Sequence, residues 1–169
     1  MKYIISLFIC FSLFVGCGYK PTSYYAKNAI SGNVYVDLLV DITNAQNSVY
    51  VKDAMNEMIL NQFKANLTDD KEAADTIVIV SLSGVSHSAM STDDNGYAQS
   101  YRTTVKINVL YQKRDQEVKS ISVSNYYDYA VDSTSIISDQ KKNNAVKIAS
   151  TKALTDVFSK IAITDMKEK

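Results

Sequence analysis

From Tyr97 to Val131 apolar and polar residues alternate, with one interruption. Tyr97, Tyr101, Thr103, Val105, Ile107, Val109 and Tyr111 fall on one side of an extended chain, and Ser100, Arg102, Thr104, Lys106 and Asn108 on the other. After the polar stretch Gln112–Gln116 the alternation resumes. Ile121, Val123, Tyr127, Tyr129 and Val131 share one side, and Ser120, Ser122, Ser124, Tyr126 and Asp128 the other. Side chains switch faces at every residue of a strand, so this pattern specifies two long strands. A short polar turn joins them, and they must pair as a hairpin. Alternation this regular requires one covered face and one face in water. The covered face needs a second layer.

Two helical stretches supply it. Val51, Met55, Met58, Ile59, Leu60, Phe63 and Leu67 recur at helical spacing, opposite Lys52, Asp53, Asn56, Glu57, Asn61 and Lys64. This predicts an amphipathic helix over 49–67, capped by Asn47 or Ser48. Met55 and Met58 sit in a continuous apolar stripe, which reads as core rather than as an adaptable binding surface. The segment 139–163 carries Val146, Ala149, Ala153, Leu154, Val157, Phe158 and Ile161 at the same spacing. Its lysines, Lys141, Lys142, Lys147, Lys152 and Lys160, lie largely outside, and 132–138 before it is rich in capping residues.

Two more strands precede the hairpin. Val34, Val36, Leu38, Val40 and Ile42 alternate, with Asp37 and Asp41 on the opposite side. Thr76–Ser83 is nearly continuous apolar, which predicts an interior strand with both faces partly covered, trailing through Val85 and His87. Asp94-Asn95-Gly96 is a hairpin turn signal. The order is β-α-β-β-β-α. The expected fold is α+β, a two-layer sandwich with two helices packed on one face of a four-stranded sheet. Each fully buried Leu, Ile or Phe contributes about 1.5–3 kcal/mol, so such a core needs neither disulfide nor metal.

The first residues are of another kind. Lys2 precedes an uncharged apolar run from Tyr3 to Val15. It is too short to cross a hydrocarbon core of about 30 Å and has the length of a signal peptide. Phe14-Val15-Gly16-Cys17 ends it like a bacterial lipobox, with Phe14 departing from the usual Leu. The alternative is a plain secretory signal, or an uncleaved anchor, with an incidental cysteine. The lipobox reading divides the chain into a signal peptide (1–16), a lipidated tether (17–33), one α+β domain (34–165) and a frayed tail (166–169). Cys17 would carry N-acyl and diacylglycerol groups as its only covalent chemistry. Buried acyl chains contribute about 0.8 kcal/mol per CH₂, and several anchor a protein stably. Cys10 would leave with the signal, so no thiolate remains for a disulfide, a metal or catalysis. Gly18, in place of an Asp, favours the periplasmic side of the outer membrane by analogy with enteric lipoproteins. Pro21-Thr22-Ser23 opens the tether and Ser31-Gly32-Asn33 closes it. Tyr24 and Tyr25 belong either on the domain or at the lipid interface.

The remaining residues offer little reactive chemistry. Lys plus Arg and Asp plus Glu both number 18, which argues against nucleic-acid binding. His87 is the single histidine, and no other ligand type clusters with it in sequence. A metal site, a triad or a Cys-His pair would each have to rest on this residue. Asp69-Asp70 and Asp93-Asp94 fall in predicted loops, without a pocket to separate their pKa values. The expectation is a non-enzymatic protein without cofactor; a remote hydrolase would need His87 or a carboxylate pair. Arg102, Lys106 and Lys119 line up on the wet hairpin face. They form either a solvated surface or one that meets anionic head groups or a protein lumen.

The lipobox with Cys17-Gly18-Tyr19, the element order, Asn95-Gly96 leading into Ser100-Tyr101-Arg102 and the Val105–Tyr111 strand, and Asn125-Tyr126-Tyr127-Asp128 together resemble the LPS-assembly lipoprotein family LptE. The resemblance covers nearly the whole chain. It implies a lipoprotein that plugs the outer-membrane barrel LptD, helps it assemble, and binds lipopolysaccharide on its way to the cell surface. The acidic Asp93 and Asp94 depart from a basic lipid-contacting loop. That leaves Arg102, Lys106, Lys141 and Lys142 as candidate lipopolysaccharide contacts. The alternative is an accessory periplasmic lipoprotein of another envelope lipid-transport or secretion complex.

Overall fold

The computed structural model describes residues 22–40, 45–131 and 138–167. The signal peptide, Cys17 and Gly18 lie outside the described residues. Among the described residues, three helices and five strands follow in the order α1 (Thr22–Ala29), β1 (Asn33–Leu39), α2 (Ala45–Met58), β2 (Asn66–Leu67), β3 (Thr76–Thr92), β4 (Ala98–Lys113), β5 (Lys119–Ala130) and α3 (Asp139–Lys167). One mixed sheet runs β2-β1-β3-β4-β5. β1 pairs parallel with both β2 and β3, and β3, β4 and β5 pair antiparallel. A parallel neighbour needs a crossover, which α2 supplies between β1 and β3.

The alternation read in the hairpin is the alternation observed. Val105, Ile107, Val109 and Tyr111 of β4 and Ile121 and Val123 of β5 are buried. Val109 opposes Ile121 and Ile107 opposes Val123, so these rows lie on one face. Val34 and Val36 of β1 and Val78, Val80 and Leu82 of β3 extend that face. The helices cover it with Val51, Met55, Met58 and Ile59 from α2 and the turn after it, and with Val146, Ala149, Ala153, Leu154, Val157 and Ile161 from α3. Phe63 and Phe158 meet edge to face at 4.9 Å and join the two helical segments. Met55 and Met58 are therefore core, as their stripe indicates.

The sandwich has more parts than expected: five strands and three helices, not four and two. The added helix is α1. Ala26, Ala29 and Ile30 are buried in the common core, and the helix packs on α3. The part of the expected tether from Thr22 onward is thus docked structure. Its residues lack a broad apolar stripe because alanines make most of the contact. The added strand, β2, arises because the helix expected over 49–67 ends early. After Met58 the chain makes one π-helical turn, Ile59–Phe63, and stops at Lys64 in the left-handed region. This turn buries Ile59 and Phe63 together and leaves Leu60 exposed. Asn66 and Leu67 then align beside β1.

β3 also differs from its expected short form. It continues to Thr92 because β4 pairs with it throughout. A register shift between Leu82 and Gly84 inverts its phase. Before the shift even-numbered residues face the helices. After it, Val85, His87 and Ala89 oppose Val105, Thr103 and Tyr101 on that face. A bulge adds one unpaired residue, which is how the alternation changes sign mid-strand. The second face of Thr76–Ser83 has no helix over it among the described residues, and Ile77 and Ile79 are half-buried there. At the other end of the chain, α3 stays helical to Lys167.

Candidate functional site

The cationic residues singled out in the sequence do not converge. Arg102 and Lys106 are on the open face of the sheet, whereas Lys119, expected beside them, opposes the buried Tyr111 on the covered side. Lys141 and Lys142 are in the first turn of α3, in the helical layer.

On the open face, Arg102 and Asp128 are directly opposite each other across β4 and β5. Arg102 Nε donates to Asp128 Oδ1 and its NH2 group to Oδ2, both at 2.7 Å. The guanidinium also lies over the Tyr126 ring, 3.8 Å from its centre. The hydrogen bond to Arg102 holds the Asp128 carboxyl below its usual range, and the same bond keeps the guanidinium more firmly protonated. A planar fork bound bidentately to a carboxylate is already occupied. Arg102 is therefore a strap across the hairpin, and a ligand would have to displace Asp128. Lys106 is exposed, and among the described residues no carboxylate pairs with it. Around these residues the face carries hydroxyls and one amide: Ser81, Asn108 and Ser122 form one row, and Ser86 and Thr104 part of another. Nearer β1 it is apolar, with Ile77, Ile79 and the exposed Leu39 and Leu110.

In the helical layer, Ser138 caps α3: the Lys141 N–H donates to its hydroxyl at 3.3 Å. Asp139, in the same first turn, accepts from Lys142 at 3.4 Å. Lys141 lines a groove of about 580 Å³ with Tyr50 of α2 and Gln140, Asn143, Asn144 and Lys147. The groove continues along α3 past Ile148, Thr151, Lys152 and Thr155. Among the described residues no carboxylate lines either part. The sequence marks Lys147 and Lys152 only as outer-face residues. Their shared exposed face on α3 was the signal available for the groove; Tyr50, which comes from another element, had none.

His87 is partly covered where β3 outruns β1. Its Nδ1 is 2.7 Å from the Thr103 hydroxyl. Burial, and then the charge of Lys142, depress its pKa below the ordinary imidazole value. Beside it Tyr101, Tyr127 and Tyr129 stack in a ladder with neighbouring ring centres 6.3 Å apart. Among the described residues no three His, Cys, Asp or Glu side chains come close enough to hold a metal ion. No helix there is long and apolar enough to cross a membrane.

The profile of the LptE family, described as lipopolysaccharide-assembly, matches residues 34–161. That span runs from β1 through all five strands to the last buried turns of α3. The chain belongs to the LptE family. A search of the curated proteins finds no significant sequence match. Among solved structures, the LptE-family chain is similar to rare lipoprotein B from Shewanella oneidensis, at 13% identity and a TM-score of 0.53, over 80% of this chain and 97% of that one. It is also similar to lipoprotein B from Nitrosomonas europaea, at 9% identity and a TM-score of 0.53, over 86% and 91%. At these identities the likeness establishes the shared LptE-type fold.

Proposed function

We propose that this chain is the lipid-anchored plug of an outer-membrane lipopolysaccharide translocon. In this reading it sits on the periplasmic side of the outer membrane through acyl chains on Cys17. It helps the LptD barrel assemble, occupies its lumen, and touches lipopolysaccharide in transit, without catalysing a reaction. The observation that carries the reading is the family match over the whole sheet and its closing helix. The geometry supports it in two ways. The open sheet face joins a hydroxyl-rich half to an apolar half, a composition suited to the wall of a polar barrel lumen. The groove on α3 is lined by Lys141 and Lys147 and, among the described residues, by no carboxylate, a composition suited to phosphate groups. Of the four candidate contacts Lys141 is the one that lines this groove.

The test is depletion in the native cell. Surface lipopolysaccharide is expected to fall and the barrel to remain misassembled. A clean deletion with normal lipopolysaccharide export would overturn the reading. Mass spectrometry of the membrane-extracted protein is expected to find a triacylated N-terminus at Cys17. Cys17→Ala is expected to lower membrane retention while circular dichroism stays that of the folded domain.

A further inference from the structure

β1 accompanies β3 only to Ser81, which opposes Leu39. From there on, among the described residues, β3 has a paired strand on one side alone. The free side of a strand carries unpaired N–H and C=O groups, ready to pair with another chain. Sheets ordinarily guard such an edge with Lys, Glu or Pro. Residues 83–92, Ser-Gly-Val-Ser-His-Ser-Ala-Met-Ser-Thr, contain no Lys, Arg, Asp, Glu or Pro. Register shifts bound the stretch at Leu82/Gly84 and Ala89/Ser91, and between them Gly84–Ala89 pairs with β4 without a break. That leaves about 20 Å of regular, uncharged edge.

The chemistry around the edge says what would lie there. Lys106 opposes Gly84. Gly84 has no side chain, and the aliphatic stem of Lys106 passes over it: Cδ is 3.9 Å from the position a Cβ would take. Lys106 thus has its side-chain stem beside Gly84, on the strand whose other side is free. The stretch itself offers no countercharge, and the Asp128 carboxylate two strands away is held by Arg102. A second copy of the same edge brings no carboxylate either.

We propose that the Gly84–Ala89 edge is a strand-addition site for an extended, acidic segment of a partner polypeptide, with Lys106 meeting a carboxylate opposite Gly84. Main-chain hydrogen bonds supply the affinity and the Lys106 pair sets the register. The proposal does not depend on lipopolysaccharide binding, so either can fail while the other stands.

The probe is a capped peptide of alternating threonine and valine with one central glutamate. Its controls are the same peptide with lysine for glutamate and a backbone N-methylated copy. Amide hydrogen exchange of the full domain is read with each at millimolar concentration. The glutamate peptide is expected to slow exchange at every second amide of Gly84–Ala89, those pointing away from β4, and at none of the amides already bonded to β4. The lysine peptide is expected to bind at least about fivefold more weakly, because like charges would meet. Lys106→Glu, an exposed change that leaves the core untouched, is expected to reverse that preference. Absence of alternating protection, or equal protection by the N-methylated copy, overturns strand addition. An unchanged preference in Lys106→Glu overturns the assigned role of Lys106. In cells, a photo-crosslinker at Ser86 is expected to capture an acidic segment of another protein; capture of a second copy alone would overturn the choice of partner.

Discussion

Replacing Ile30 by Ala tests whether α1 is structure or tether. Ile30 is fully buried and Ala26 and Ala29 lie beside it in the core. The change removes three carbon groups from a filled site. At about 0.8 kcal/mol for each buried CH₂, the transfer contribution is roughly 2.4 kcal/mol. A residual cavity adds about 24 cal/mol per Å³, so an incompletely collapsed site raises the loss to about 3–4 kcal/mol. Urea unfolding followed by circular dichroism measures it. With a slope of about 1–3 kcal/mol per molar urea, the midpoint should fall by one to several molar. Lys27→Ala, on the exposed side of the same helix, is the control and should stay within about 0.5 kcal/mol of the parent. If Ile30→Ala unfolds within about 0.5 kcal/mol of the parent, α1 does not dock and the core begins at β1.

Gly32 has a φ of +77°, and a Cβ there would run into the Asp75 carboxylate, which accepts from the Asn33 N–H at 2.9 Å. Gly32→Ala should destabilise by more than Gly96→Ala, whose φ is +84° but which has open space around it; the latter isolates backbone strain of about 1–2 kcal/mol, and equal losses would refute the clash. Asp128 should titrate below a free carboxylate by carbon NMR, and Arg102→Gln should bring its pKa back up. Because the folded value is depressed, the contribution of the pair is complete above about pH 4 and is lost as pH falls through the folded pKa. His87 should titrate below about 6.5, and Lys142→Gln should raise it only in part, since burial is the larger cause. The unfolded chain then takes up the proton first, so stability is highest above that value, declines as pH falls through it and levels below the folded pKa. An unshifted His87 would refute both the partial burial of the ring and the influence of Lys142 on it.

Most of the layer structure was legible in local periodicity. The β4–β5 alternation named the covered face residue by residue, and the stripes of α2 and α3 named what covers it. The missed elements lack that kind of signal. β2 is two residues long. α1 is a helix of eight residues whose buried contacts are mainly alanine, although Ala26, Ala29 and Ile30 do have helical spacing and Gly32 is a fitting stop. The Leu82/Gly84 shift hid the true length of β3, because an extra residue turns one alternating pattern into two of opposite phase. The candidate site was harder still. Arg102 and Asp128 were each placed on the wet face, but their pairing depends on a register that a single-residue slip would undo.

Periodicity records which side of each segment avoids water, because burial rewards every residue on that side alike. It therefore specifies an α+β sandwich with a long hairpin, one polar sheet face and two amphipathic covering helices from the chain alone. It does not record which neighbour covers a given residue. The central place of β3 between a parallel and an antiparallel partner, the docking of α1 and the closure of Asp128 on Arg102 are set by contacts between distant parts of the chain. So is the division of the cations, with Arg102 and Lys106 on one face and Lys141 and Lys142 in the other layer. So is the bare edge of β3 among the described residues: there β1 ends where its partner continues, and neither strand's own pattern contains that fact.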